Sequence, residues 1–370
     1  MSRAPNTAGH AAAEAVLLPT GAIAAALLLF GVFVWFGGTS PVDAWMLLFR
    51  GAFGDAFSWQ NTLQRAAPLM LTALAVALPA RAGLTVIGGE GALVLGALGC
   101  AGLPYAMPLA PNVSGSAWVL LAGALAGAAW VALAGLLRQW RGVNETISSL
   151  LLGYIAIALF KHIVEGPLRD PASLNKPSTQ PLAEGLRIGA ISPDSFLGDV
   201  HWGLVIGLVL CIAAGVWLTF TSSGFALRVA GGNAGTARGV GLAVDRLIVL
   251  ACGLGGACAG LGGAIEVAAV HTAANASVIA GLGYTGILVS FVARHNPWAI
   301  PIVAVLFGGF AAAGSLLQRR LGLPDASVLV LQGFAFVFIL AAEALRGRLF
   351  ELRMPALGRV RLATHLGKAV

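Results

Sequence analysis

The sequence predicts an all-α fold: a polytopic integral membrane helical bundle with about ten membrane segments and both termini in the cytoplasm. Three observations lead to this prediction. Of the 370 residues, 58% are hydrophobic and only 10% are charged, and the mean hydropathy is +0.88. The apolar residues form runs of roughly 20, the length of a helix that crosses a bilayer. The 50 glycines fall mostly inside these runs, as expected for closely packed membrane helices.

The low charge content also excludes several classes of protein. A soluble domain carries about 25% charged residues, so an ordinary cytosolic enzyme, a disordered chain and a nucleic-acid-binding protein are excluded. The net charge of +7 rests on 19 arginines and three lysines scattered along the chain, which is typical of membrane loops. We therefore expect a single transmembrane domain over residues 1–370.

Ten apolar runs define the expected spans. The first follows a polar tail, residues 1–14, and exceeds a signal-peptide core of roughly 7–15 residues, so we expect it to be retained. Residues 42–65 are too polar to span, and we expect them to lie along the membrane surface. The ten runs are residues 15–36, 66–79, 83–103, 117–137, 146–164, 202–220, 247–270, 281–293, 301–317 and 327–345.

The distribution of cations predicts the orientation. With both termini inside, 14 of the 22 lysines and arginines fall on the cytoplasmic side, which agrees with the positive-inside rule. The loop 221–246 and the basic tail 346–370 are then cytoplasmic, and the proline-bearing loop 165–200 is external. Arg319 and Arg320 violate the rule locally, because they fall on the external side.

Motifs for catalysis or cofactor binding are weak or missing. Gly281-Leu-Gly-Tyr-Thr-Gly286 matches the dinucleotide fingerprint, but it follows no strand and precedes no suitably placed acidic residue. The chain contains no phosphate-binding GxxxxGK[ST] loop, so we expect it not to hydrolyse ATP by itself. The cysteines lie in apolar runs without metal-ligand spacing, so we expect no metal site and interpret them as core residues. They are Cys100, Cys211, Cys252 and Cys258.

Polar residues inside membrane runs are costly and suggest function by default. Glu90 lies between glycines, and either a hydrogen bond to a neighbouring helix end or a place in a solute pathway would explain it. The same alternatives apply to Glu266, which lies in a glycine-rich run that His271 and Asn275 follow. Glu145 begins a predicted helix, where the helix dipole favours an acid. In that glycine-rich run, Gly256 and Gly260 show the small-xxx-small spacing of close helix packing.

Four stretches taken in order resemble permease subunits of ATP-binding cassette (ABC) importers. The resemblance is to the branched-chain amino acid/ribose permease superfamily, in its simple sugar and nucleoside branch, and covers about residues 60–345. Val86 and Gly153 stand where the family pattern has asparagine, and Ala92 where glutamine is common. The stretches are Val86-Ile-Gly-Gly-Glu-Gly91, Val143-Asn-Glu-Thr-Ile-Ser-Ser-Leu-Leu-Leu-Gly-Tyr154, residues 224–242, and Gly283-Tyr-Thr-Gly-Ile-Leu-Val-Ser-Phe-Val-Ala-Arg-His-Asn-Pro297.

The resemblance implies an import machine of several subunits in a bacterial cytoplasmic membrane. It implies a second permease, ABC ATPase subunits that carry ATP and magnesium, and an external solute-binding lipoprotein docked on loop 165–200. A short cytoplasmic helix would couple to the ATPase through Gly224, Arg228, Gly231, Asn233, Arg238 and Gly241. Residues expected to line or brace the solute pathway are Glu90, Asn144, Glu145, Tyr154, Glu266, His271 and Asn275.

The solute and the energy source stay open at this point. Nucleosides, simple sugars and pyrimidine-like vitamin precursors all suit the family, with nucleosides favoured by the resemblance of loop 165–200. An ion-gradient-driven secondary transporter or a passive channel is the alternative. A secondary transporter should pair ionisable residues at mid-membrane, and the interior carboxylates show no obvious cationic partner in the sequence.

Overall fold

Helices form most of the protein. The computed structural model describes residues 7–107, 113–192, 196, 198–324 and 326–344. These ranges contain two isolated β-bridges, Ser178–Asn275 and Ala190–His201, and no strand. The α-helices of the described ranges are α1 (Thr7–Phe36), α2 (Pro41–Phe53), α3 (Ala56–Arg81), α4 (Gly89–Ala106), α5 (Val113–Arg141), α6 (Glu145–Glu165), α7 (Gly203–Phe220), α8 (Ser222–Gly232), α9 (Ala234–Gly239), α10 (Val244–Ile265), α11 (Leu282–Val292), α12 (Ile300–Leu321) and α13 (Ala326–Ala344).

The predicted all-α membrane bundle is confirmed. Eight of the described helices are long and apolar enough to cross a membrane: α1, α3, α5, α6, α7, α10, α12 and α13. The two remaining predicted segments are α4, which has 18 residues like α7, and the shorter helix α11, which has 11. At 1.5 Å per residue, α11 is only about 16 Å long and covers about half of a bilayer core.

Contacts between helix ends define two ends of the bundle. At the first, which we call the α8 end, the Arg81 guanidinium of α3 donates to the His295 carbonyl at 2.8 and 3.0 Å, and Gly231 of α8 packs on the backbone of Arg81. At the second, which we call the far end, Gln60 and Gln64 of α3 donate to the carbonyls of Phe196 and Asp199. The loop predicted to be external therefore lies opposite α8 and α9.

The described ends of the chain share the α8 end. The last turn of α1 lines a pocket together with residues 323–330, at the start of α13, and α1 packs along α13. The two helices are therefore antiparallel, as an even number of spans requires. The predicted tails 1–14 and 346–370 lie largely outside the described residues.

The prediction for residues 42–65 was wrong. These residues do not form one surface segment, because the chain breaks at Gly54 and a new helix begins at Ala56. The Asp55 carboxylate caps α3 by accepting the Ser58 N–H at 2.7 Å. The prediction rested on the charges of Asp43, Arg50, Asp55 and Arg65, but Arg65 already lies within the spanning helix α3. The polar Gln60 and Gln64 of α3 donate to carbonyls of loop 165–200.

Two non-helical segments enter the bundle. Residues 82–88, where a helical span was predicted to begin at Gly83, instead form a non-helical connection from α3 to α4. Residues 272–281 lead into α11 with only a short 3₁₀ turn. Non-helical backbone is tolerated at membrane depth where protein surrounds it. Here the Ile87 N–H donates to the Ser149 Oγ at 3.1 Å, and the Thr146 Oγ1 donates to the Thr85 carbonyl at 2.8 Å. We call these segments the first strap (82–88) and the second strap (272–281).

The two halves of the chain repeat one element order with inverted direction. In the first half, α3 runs to the α8 end, and the first strap, α4 and α5 follow it. In the second half, α10 runs to the far end, and the second strap, α11 and α12 follow it. The short helix α2 precedes α3 at the far end, and the short helices α8 and α9 precede α10 at the α8 end. Inverted repeats with broken helices at their junction are a common plan of transporters.

Glycines bring α5 and α10 into backbone contact. A Cβ atom on Gly260 would lie on the Gly123 carbonyl oxygen and 2.9 Å from the Gly127 Cα, and one on Gly256 would meet the Gly127 carbonyl oxygen. Dispersion between closely packed backbones stabilises membrane helices where lipid supplies no hydrophobic drive. The close packing predicted from the glycine spacing is confirmed.

A matched pair of alanine substitutions tests this packing. Gly260→Ala should lower the stability of the purified protein by about 1–3 kcal/mol, because the added methyl overpacks the α5–α10 contact. Gly253→Ala, on the same helix, places its Cβ 3.8 Å from the Ala132 Cβ and should be neutral or slightly stabilising, since alanine favours helix over glycine. Thermal unfolding in detergent measures both. Equal effects of the two substitutions would contradict the packing account.

Candidate translocation groove and coupling surface

The Glu90 carboxylate joins the two halves of the bundle. Glu90 lies in the first turn of α4, is 1% exposed, and accepts the N–H of Gly281 at 2.9 Å and the N–H of Gly283 at 2.6 Å. No side chain of α11 caps its own N-terminus, so this carboxylate supplies the cap from another helix. The negative charge therefore lies between the positive ends of two helix dipoles. This contact is the helix-end hydrogen bond that the sequence left as one alternative for Glu90.

The glycines of the apparent dinucleotide fingerprint permit this contact. Gly281 has a φ of +74°, which side chains other than glycine rarely adopt. A Cβ on Gly283 would collide with the backbone nitrogen of Glu90. These glycines therefore let the N-termini of α4 and α11 approach each other closely.

A cavity of about 960 Å³ opens beside Glu90, between the first strap, α11 and α13. We call it the central groove. Its polar lining consists of Thr85, Glu90, Tyr284, Thr285 and Gln332, and the other lining residues are apolar or glycine. The Thr285 Oγ1 donates to the Gln332 Oε1 at 3.1 Å. None of the lining residues is a cation, and the one carboxylate already accepts backbone N–H groups.

Tyr154, another predicted pathway residue, lies on α6, is 57% exposed, and is not among the residues that line the groove. Val86, which stands where the family pattern has asparagine, is buried and lines the groove. The groove is accordingly more apolar at that position than the pattern implies.

The other predicted pathway residues lie away from Glu90, in two groups. Asn144 and Glu145 lie at the start of α6: the Asn144 Oδ1 accepts the N–H groups of Thr146 and Ile147 at 2.9 and 3.1 Å, and Glu145 forms an ion pair with Arg138. Glu145 therefore has a cationic partner, contrary to expectation. This pair braces the turn between α5 and α6 beside the first strap.

The second group lies toward the far end, where α10 continues as a π-helical segment, Glu266–His271. The His271 Nε2 lies 3.5 Å from the Glu266 Oε2, and the Asn275 Oδ1 accepts the Ser277 N–H at 2.9 Å. The second strap is tied to loop 165–200, because Thr179 exchanges hydrogen bonds of 3.0 Å with Ala274. A π-helical turn often marks a functional position.

Four of the six predicted coupling residues are exposed on α8, α9 and the turn that follows, whereas Gly224 is buried and Gly231 is half-buried. Arg228 and Asn233 are exposed, and Asn233 caps α9 by accepting the Thr236 N–H at 3.0 Å. The Arg238 guanidinium contacts the Asp245 carboxylate at 2.8 Å, with both side chains more than half exposed. The chain turns at Gly241, whose φ is +83°. We call this exposed face, with Phe225 and Val240 beside it, the coupling surface.

The inner side of α8 and α9 rests on the first strap. Leu227, Ala230 and Ala237 are buried in one cluster with Leu84 and Val86. Gly224 lies against the Trp217 carbonyl, and Gly231 lies against the Arg81 carbonyl. A displacement of α8 would therefore reach the strap that leads to Glu90.

His295, with an uncharged imidazole ring, holds the turn between α11 and α12 in place. Burial lowers the pKa of His295 to about 4, with the positive charge of Arg81 as a second cause. The uncharged ring places its Nδ1 2.9 Å from the Ser290 Oγ, while its carbonyl accepts from Arg81. This turn thereby ties α3 to α11.

Sequence reasoning missed four polar groove residues: Thr85, Tyr284, Thr285 and Gln332. The signal for Gln332 was present, because it interrupts an apolar run in the last predicted span. Tyr284 and Thr285 lie in a stretch that was considered as a dinucleotide fingerprint and as part of the family pattern, but neither interpretation made them pathway residues. Nothing in the sequence places α11 beside α13, so their meeting could not be predicted.

Comparison with known proteins identifies the family. The family model described as the permease component of branched-chain amino acid transport systems matches residues 58–340. The chain belongs to this permease family. It is therefore a multi-pass inner-membrane protein and the transmembrane permease subunit of an ABC importer, and neither a secondary transporter nor a channel is favoured.

Curated relatives agree over almost the whole length of this permease. It is 32% identical over 332 residues to the glucose ABC transporter permease of Haloferax volcanii, covering 88% of this chain and 87% of the relative. It is 25% identical to the guanosine ABC transporter permease of Bacillus subtilis, covering 90% and 94%. It is 26% identical to a nucleoside ABC transporter permease of Lactococcus lactis, covering 89% and 91%.

Substitution of Glu90 tests the central contact. Glu90→Gln should lower stability by about 1.5–3 kcal/mol, because one of the two charge-assisted hydrogen bonds to α11 loses its acceptor. Glu90→Leu should cost more, since both N–H groups lose their acceptor. Glu165→Gln, an exposed change at the end of α6, is the control. Thermal unfolding in detergent that ranks Glu90→Gln with the control would contradict this role.

Proposed function

We propose that this permease moves a neutral polar solute, a nucleoside or a simple sugar, through the central groove. The observation that carries the proposal is the groove's lining: a hydrogen-bonded Thr285–Gln332 pair and a tyrosine stand among apolar side chains, with no cation. Such a lining suits a ring with hydroxyl or amide groups and an apolar face, because few placed polar groups orient a ligand in an apolar pocket. The names of the relatives, which transport glucose, guanosine and nucleosides, support the same solutes.

The coupling surface is the proposed contact for the ABC ATPase. Arg228, Asn233 and Arg238 would enter the ATPase groove, while Gly224, Gly231 and Gly241 allow the tight turns and close packing behind them. Closure of the ATP- and magnesium-bound ATPases would push α8 against the first strap. Because that strap leads directly to Glu90, the push would reach the groove and open it alternately to each side.

The remaining predicted residues have bracing roles in this proposal. Glu145 and Asn144 hold the start of α6 beside the first strap, and Glu266, His271 and Asn275 hold the second strap at the far end. Tyr154, which is exposed on α6 and is not a lining residue of the groove, would have a bracing role from that helix. Glu90 would brace the groove, since its two oxygens accept the N–H groups of Gly281 and Gly283.

The assembly contains further subunits. An exposed apolar stripe on α6, formed by Ile147, Leu151 and Ile155 at 50–59% exposure, is the proposed contact for a second permease. The external loop 165–200 is the proposed docking surface for the solute-binding protein, and its link from Thr179 to Ala274 would carry that contact to the second strap. The permease itself hydrolyses no ATP in this proposal.

Charge reversal on the coupling surface tests the ATPase contact. Arg228→Glu should reduce co-purification of the ATPase by about tenfold or more, because it places a negative charge where the proposed contact has a positive one. The ATPase activity that the permease stimulates should fall by a similar factor. Arg141→Glu reverses another exposed cation at the α8 end, outside the coupling surface, and should leave both unchanged. Normal assembly of the Arg228→Glu variant would refute the assigned contact.

Groove substitutions test the solute pathway. Gln332→Ala and Thr285→Val should each reduce uptake about tenfold, because loss of one buried hydrogen-bond partner costs about 1–2 kcal/mol. Uptake of radiolabelled guanosine and glucose into proteoliposomes with the complete transporter measures the effect and identifies the solute class. Arg141→Ala, an exposed change outside the coupling surface, serves as control. Unchanged uptake with full assembly would place the pathway elsewhere.

A further inference from the structure

Three arginines meet in one pocket at the far end of the bundle. Arg50, in the last turn of α2, and Arg319 and Arg320, in the last turn of α12, line a cavity of about 230 Å³. The same cavity is lined by Asp55, Ser58, Asn61 and Ser315. These arginines lie on the side where the positive-inside rule predicts few cations.

The charges within this pocket do not balance. Asp55 is its one acidic lining residue, and the Asp55 carboxylate already caps α3 by accepting the Ser58 N–H. This hydrogen bond, with the charge of Arg50 as a lesser cause, lowers the pKa of Asp55, so the carboxylate is ionised. Three guanidinium groups against one carboxylate leave an excess of two positive charges. The N-terminus of the 26-residue α3 adds to the positive potential.

An apolar surface adjoins the cationic pocket. Val42, Met46 and Phe49 lie at helical spacing on α2 and are 60–68% exposed, and Phe57 in the pocket wall is 65% exposed. The ring centroids of Phe53 and Trp59 lie 5.0 Å apart beside this stripe, and aromatic side chains of this kind are typical of membrane–water interfaces. A ligand that satisfies both surfaces has an anionic head and an apolar tail.

We propose that this pocket binds the phosphate headgroup of an anionic phospholipid, with the acyl chains lying on the α2 stripe. Arginine binds phosphate oxygens through paired N–H donors, and basic pockets between membrane helices commonly bind lipid headgroups. An acidic protein partner would account for the arginines but not for an exposed apolar stripe beside them. The lipid would hold α2 against α12. These helices pack closely at Gly51, where an added Cβ would lie 2.9 Å from the Ala313 Cα.

Lipid-specific stabilisation tests the proposal. Phosphatidylglycerol added to delipidated permease in detergent should raise the thermal midpoint, and native mass spectrometry should show it retained, whereas phosphatidylcholine should do neither. The double variant R319A/R320A should bind phosphatidylglycerol about tenfold more weakly or worse. The control R141A/R246A removes two exposed cations at the α8 end and should bind as the wild type does.

Three outcomes would overturn the proposal. Equal binding of phosphatidylglycerol by R319A/R320A and the control would mean that lipid binds elsewhere. Equal stabilisation by millimolar inorganic phosphate would show a site for free anions and not for lipid. Loss of solute-binding protein from R319A/R320A, with unchanged phosphatidylglycerol retention, would assign the arginines to protein docking. Normal monodispersity of the variant in gel filtration confirms that it is folded.

Discussion

The capping of α11 by Glu90 is the interaction on which the rest of this permease depends. A helix that begins inside the bundle leaves N–H groups without partners, and lipid offers none. Glu90 supplies the acceptor from the other half of the chain, and its own helix begins at the same place. A buried carboxylate is costly when it has no partner, but here two N–H donors and two helix dipoles stabilise its charge. Helix α11 can begin inside the bundle because Glu90 of α4 accepts the N–H groups at its N-terminus.

Both straps lead to this junction, and they arrive from opposite ends of the bundle. The buried side of α8 packs on the first strap. The second strap is hydrogen bonded to loop 165–200 through Ala274 and Thr179. A movement at either end thus has a continuous packed path to the same carboxylate. A contact path is not itself evidence of coupling. The groove lies where the two straps meet, and these non-helical segments can move without the loss of helical hydrogen bonds.

Much of the fold could be predicted from the sequence, because each span is an apolar run and α8–α9 has a distinct polar pattern. The start of α4 could not be predicted, because residues 83–88 are as apolar as the residues of the membrane helices. Their non-helical course depends on hydrogen bonds with Ser149 and Thr146, which lie far away in the sequence. The ion pair of Glu145 with Arg138 depends on the turn between α5 and α6. The glycines at 281 and 283 were visible, but their purpose depends on Glu90, 193 residues away from Gly283. Long-range partners decide the site, and one sequence does not contain them.

The inverted repeat places short helices at corresponding positions in the two halves, yet their exposed faces differ in chemistry. The exposed face of α8 and α9 carries Arg228, Asn233 and Arg238, polar groups suited to a soluble partner. The exposed face of α2 carries Val42, Met46 and Phe49, which suit acyl chains, and its cation Arg50 lies at the end of the helix. Equivalent positions in the fold therefore differ in the partners that their exposed faces suit. In our proposals, α8 and α9 would transmit force from a soluble subunit, and α2 would anchor the bundle in the membrane against which that force must act.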